Sequence, residues 1–179
     1  MNNHQFHIQL GEVCLENSDL PPSDPLGELS DFELGLRRFC YEQNRPVAIA
    51  IRLFTTRVFL YPDICMMLED NFPEQIALLS EGKNMQMEFA ESCWQILKSM
   101  PRGQKISCHI GEFGYSLQSK TVELDKDIVL EVLRGFLNDV MQMAVDKGYI
   151  TQPDKEAFIR PAFVTPLVGR LPVTASVNL

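Results

Sequence analysis

An α+β fold is what this sequence predicts: a mostly antiparallel sheet of about four to six strands, with helices packed on one face. Three observations carry that expectation. Candidate strands at roughly 8–15, 46–61, 104–111 and 115–124 do not alternate with helices in the regular way a doubly wound parallel sheet requires. One segment, 126–147, holds a long apolar stripe at helical spacing. Hydrophobic residues make up 45% of the 179 residues, enough for a chain of this length to bury a core. Residues 1–160 read as a single domain and 161–179 as an extended apolar C-terminal arm.

Taken in order, residues 7–15 alternate well enough for a strand, with Ile8 and Leu10 on one face. Residues 17–27 collect Asn, Ser, Asp, Pro and Gly, the composition of a loop, which Leu20 and Leu26 are expected to pin. Ser30-Asp31-Phe32-Glu33 has the form of a capping box, in which the serine hydroxyl accepts from the third helical N–H and Glu33 reaches back. Phe32, Leu36, Phe39 and Cys40 follow at helical spacing. That helix must stop before Arg45-Pro46, because the residue preceding proline is pushed out of the α region. Residues 47–61 are rich in β-branched and aromatic side chains and read as one long strand or as a hairpin turning at Thr55-Thr56. Pro62-Asp63 and Pro73-Glu74 mark helix starts, since proline suits the first helical turn. They predict short helices over 64–70 and 74–81, the second closed by Gly82.

Residues 84–100 fit two periods. Met85, Met87 and Phe89 alternate like a strand, while Met85, Phe89, Cys93, Ile96 and Met100 form a helical stripe. Few β-branched residues and many helix formers turn the reading towards helix. In 104–110, Ile106, Cys108 and Ile110 face inward while Lys105, Ser107 and His109 face outward. Gly111 and Gly114 then bend the chain, and 115–124 returns as the next strand. The helix over 126–147 takes Asp125 as its N-cap and Asp127 at the positive end of its dipole. Its buried stripe is Val129, Leu133, Phe136, Leu137, Val140 and Ala144, and Gly148 suits the left-handed position after the last turn. A short helix over 153–159 follows. Residues 161–179 hold three prolines and one charge, Arg170, and are expected to pack as an arm on their own domain or on a second subunit.

Charge is more informative by position than in total. The chain carries 16 Lys+Arg against 24 Asp+Glu, a net charge of −8. Residues 1–90 hold 14 acids and 6 bases, whereas residues 91–179 are balanced at 10 of each. No Lys or Arg precedes Arg37, while Glu12, Glu16, Asp19, Asp24, Glu28, Asp31 and Glu33 all do. Two readings of that stretch stand open: a solvated face that aids solubility, or a surface that steers towards a basic partner. The balance disfavours a general nucleic-acid binder, which needs a basic face for phosphates. The first residues show neither the basic nor the apolar region of a signal peptide, and no apolar run approaches a bilayer span. Five evenly spread cysteines without a CxxC fit reduced cytoplasmic thiols better than a disulfide scaffold.

Catalytic and phosphate-binding signatures are absent: there is no GxGxxG, GxxxxGK[ST], GxSxG or HExxH. His4 and His7 would point to opposite faces of a strand, which suits a metal poorly. Cys108 and His109 are adjacent on a strand and point opposite ways, so they cannot form a dyad with each other. The acid pairs Glu69-Asp70 and Glu88 with Glu91 read as solvated helical faces, and the methionines and Trp94 read as core. No cofactor or metal site is expected. Three functions remain. The first is a non-catalytic acidic protein of inhibitor, immunity or adaptor type, binding a basic protein partner through Glu12, Glu16, Asp19, Asp24, Glu28, Asp31 and Glu33. The second is a small enzyme or ligand-binding module built on Lys105, His109, Glu112 and Tyr115. The third is a subunit of a homo-oligomer joined through 161–179. Neither nucleic acid nor a membrane is expected as a partner.

Overall fold

The structure, a computed structural model, describes residues 6–17, 20–52, 54–112 and 115–164, with the backbone alone at Glu112 and 115–120. The fold is α+β. Where a single sheet was expected there are two, both antiparallel, of three and four strands.

The first sheet has the order β1-β2-β3, from β1 (Phe6–Leu10), β2 (Pro46–Ile51) and β3 (Phe54–Phe59). Phe6, Val47, Ile49, Ile51 and Val58 face the core. β1 ends at Leu10 rather than at residue 15. Gly11 still donates to the Pro46 carbonyl at 2.7 Å, but Pro46 has no N–H to return, so the ladder stops. The β2–β3 hairpin turns between Ile51 and Phe54, which stand opposite each other, and not at Thr55-Thr56. Arg52 takes the left-handed conformation (φ 51) that a two-residue hairpin demands.

A wide turn at Leu60–Ile64 leads into α2 (Cys65–Glu69) and α3 (Phe72–Ser80), which follow α1 (Asp31–Glu42). Asn71 (φ 61) separates α2 from α3, Pro73 sits in the first turn of α3, and Gly82 (φ 84) closes it. Leu20 and Leu26, expected to pin the loop before α1, are both exposed. Asp24 pins it instead, accepting from the N–H groups of Glu28 and Leu29 at 3.0 and 2.9 Å.

The second sheet has the order β4-β5-β6-β7, from β4 (Met85–Phe89), β5 (Gln95–Arg102), β6 (Lys105–Glu112) and β7 (Tyr115–Asp125). Residues 84–100 are therefore a hairpin and not a helix. Met85, Met87 and Phe89 turn inward while Gln86 and Glu88 face solvent, the period of a half-buried strand. Trp94, exposed and at φ 53, reverses the chain.

Helix α4 (Lys126–Asp146) is capped by Asp125 as its sequence predicts, and all six residues of its expected stripe are buried. It packs on β1 of one sheet and β7 of the other, so it joins the two. Helix α5 (Gln152–Phe163) lies against α3 and α4. It passes through Pro161, so residues 161–163 belong to a helix and not to the expected arm. Residues 165–179 lie outside the described residues. Buried side chains from both sheets and all five helices form one continuous hydrophobic cluster.

Candidate functional site

The acid-bearing segment 11–17 is held against the residues that end and follow α1. Gly11 N donates to the Pro46 carbonyl, Asn17 Nδ2 donates to the Tyr41 carbonyl at 2.5 Å, and the buried Asn44 holds the segment at two points. Asn44 donates to the Asn17 side chain at 2.8 Å, accepts from Tyr61 N at 2.9 Å, and offers its carbonyl to Leu15 N at 2.6 Å. Glu12 and Glu16 are thereby displayed on an exposed segment beside the C-terminal end of α1, while Glu28 and Asp31 are exposed at its start. The described residues contain three ion pairs, Arg37–Glu69 at 2.6 Å, Lys83–Glu81 at 2.7 Å and Lys105–Asp125 at 3.5 Å. None of them uses Glu12, Glu16, Glu28 or Asp31.

Two of the seven acids have local work. The backbone N–H groups of Leu29 and Glu28 hold the Asp24 carboxyl below its ordinary value. Glu33 is held low by the hydroxyl and N–H of Ser30, at 2.7 and 2.8 Å, and completes the expected capping box. Asp19 lies outside the described residues.

A groove runs between α1, the α2–α3 turn and α5. Its floor is apolar, from Phe32, Leu36, Leu68 and Phe158, with the Phe32 and Phe158 rings 5.2 Å apart. Glu33, Glu69 and Asp70 stand along it with Arg37, which is paired to Glu69. The fold thus brings Glu33 to Glu69-Asp70, a convergence that needs the tertiary structure to appear.

The strand-based candidates do not converge. Lys105 and His109 share a face of β6 but stand about 13 Å apart along it, at roughly 3.3 Å per residue. Each meets its cross-strand neighbour on β7: Lys105 pairs with Asp125, and His109 Nδ1 lies 3.0 Å from Thr121 Oγ1. Glu112 and Tyr115 are opposite one another in the backbone register, and their side chains lie outside the described residues. Burial pushes the Cys108 thiol up, and it pushes Cys40, beside Cys65, well up, so both are held as thiols. Cys14, by contrast, is exposed. His7 is exposed on β1, and His4 lies outside the described residues. Among the described residues no three His, Cys, Asp or Glu side chains gather to hold a metal ion. No helix among them is long and apolar enough to cross a membrane.

Two polar residues escaped the sequence reading. Asp63, read only as a residue of a helix start, is buried and accepts from the N–H groups of Phe59, Glu91 and Ser92 and from the Ser92 hydroxyl. Gln95 stands in the inward register of β5 with Leu97 and Ser99, and among the described residues the buried Oε1 of its amide has no partner. Reading 95–102 as a strand would have exposed Gln95 as a polar break in an inward-facing row. Comparison with known protein families, with curated proteins and with solved structures finds no match to this chain.

Proposed function

We propose that this chain is a non-catalytic interaction protein whose acidic N-terminal edge binds a basic surface on a protein partner, in the manner of an inhibitor, immunity protein or adaptor. The observation that supports this reading is the set Glu12, Glu16, Glu28 and Asp31, which is exposed and takes no part in the ion pairs of the described residues. Unpaired like charges at the two ends of α1 add to one negative field, and a basic partner relieves their repulsion while steering its own approach. The groove beside α1 offers apolar surface next to Glu69 and Asp70, where a partner can bury an apolar side chain close to its basic ones.

Retention of proteins from the native cell on the immobilised chain tests the proposal. A specific basic protein is expected to be held at low salt and released as salt rises. The variant combining Glu12→Gln, Glu16→Gln, Glu28→Gln and Asp31→Asn is expected to slow association about tenfold or more while leaving the fold intact. If no basic partner is retained at low salt, or if this variant binds as the wild type does, the proposal fails.

A further inference from the structure

We infer that the cleft between the two sheets binds a small, neutral, largely apolar molecule carrying one hydrogen-bond donor, with the donor received by Gln95 Oε1. One wall comes from Ile49, Ile51 and Phe54 of the first sheet, and the other from Phe89, Leu97 and Ile110 of the second. The cavity itself is small, about 50 Å³, and widens into open solvent.

The polar groups decide what the cleft accepts. Among the described side chains no charged one lines it, so these offer an entering ion no counter-charge for its lost hydration. Thr56 is already engaged, its hydroxyl donating to Cys93 Sγ at 3.5 Å. Ser99, two residues beyond Leu97 on the same inward face of β5, has Cys108 Sγ at 3.6 Å. Gln95 lines the cleft beside the exposed Thr55, and among the described residues the buried oxygen of its amide has no partner. Native proteins satisfy nearly all buried polar atoms, and an exception calls for a physical reason. An acceptor at the polar end of an apolar cleft gives one: it orients a ligand whose body fills the cleft and whose single donor meets the amide. Primary alcohols and phenols have that form.

The isomers 1-hexanol and dipropyl ether separate this from simple apolar filling, because they match in composition and only the alcohol donates. Methyl-labelled full-length protein titrated with 1-hexanol is expected to show saturable shifts confined to Ile49, Ile51, Leu97 and Ile110. Dipropyl ether is expected to bind about tenfold more weakly, the loss of one buried hydrogen bond. Contacts in the bound state should run from the hydroxyl-bearing carbon to the Gln95 amide and from the chain end to the isoleucine methyls. In Gln95→Met, which keeps the volume and leaves no orphaned atom, the two isomers are expected to bind equally. Equal binding to the wild type, tighter binding of the ether, the reversed orientation, or no saturable shift up to the solubility of the alcohol would each overturn the inference, with or without a folded variant. A cleft whose amide is satisfied by water alone belongs to the last of these outcomes.

Discussion

At the scale of single residues, Asp63 carries more of the structure than any acid of the N-terminal edge. It fastens the end of β3 to the β4–β5 turn by accepting from Phe59, Glu91 and Ser92. Removing it orphans several buried donors, so Asp63→Ala is expected to cost about 3 kcal/mol in urea unfolding, the order of one or two unsatisfied groups. Burial raises its carboxyl above the ordinary value of 3.8, and the three N–H groups do not reverse that. A raised folded pKa means the native state holds the proton more tightly than the unfolded chain does. The contribution of Asp63 is therefore full below the unfolded value and is lost as pH rises through the folded one. Asp24 and Glu33 run the other way, since both are held low and lose their contribution as pH falls. The stability difference between wild type and Asp63→Asn, followed from about pH 3 to about pH 7, isolates the first trend. It is expected to shrink as pH rises, and a difference that grows would show that the hydrogen bonds outweigh burial.

At the scale of elements, two helical glycines make opposite demands. A Cβ on Gly35 of α1 would overlap the Tyr149 carbonyl oxygen, whereas nothing lies within 4 Å of one on Gly135 of α4. Gly35→Ala is expected to destabilise by about 3 kcal/mol, because the obstacle is backbone and one element must shift. Gly135→Ala is expected to stabilise by about 0.5–1 kcal/mol through helix propensity and a less disordered unfolded chain. Thermal unfolding of the two variants checks the pair, and loss of stability in both would mean that α4 tolerates no change at Gly135. The same contrast between local and tertiary causes explains what the sequence makes legible. Helices α1 and α4 carry their caps and stripes within a few residues, so Ser30, Glu33, Asp125 and Val129 announce them. The hairpin at 85–102 does not announce itself. Its methionines fit either period, and its turn at residues 90–94 has no Gly, Pro or Asn. What holds Glu91 and Ser92 there is Asp63, nearly thirty positions earlier. The acids were legible as composition, but the display of Glu12 and Glu16 depends on contacts with Tyr41, Asn44 and Pro46, and the meeting of Glu33 with Glu69-Asp70 depends on α1 lying beside the α2–α3 turn. For Gln95 the signal was hidden by the misread hairpin.

At the scale of the whole molecule, the net charge of −8 sits wholly in the first half of the sequence, and the three ion pairs of the described residues compensate little of it. Self-repulsion of this kind weakens the compact state and is screened by salt over a Debye length of about 10 Å at 0.1 M. Raising the ionic strength at neutral pH is thus expected to increase the melting temperature. A fold that leaned on its ion pairs would lose stability instead. Neutralising Glu12, Glu16, Glu28 and Asp31 is expected to raise the melting temperature at low salt and to flatten its response to added salt. On the proposed function, the same four carboxylates carry two consequences of one field: strain in the free protein and attraction of a basic partner. If the neutralised variant is no more stable at low salt and responds to salt as the wild type does, the acids stand too far apart to act as one field. The case for a steering edge would then rest on single contacts with the partner.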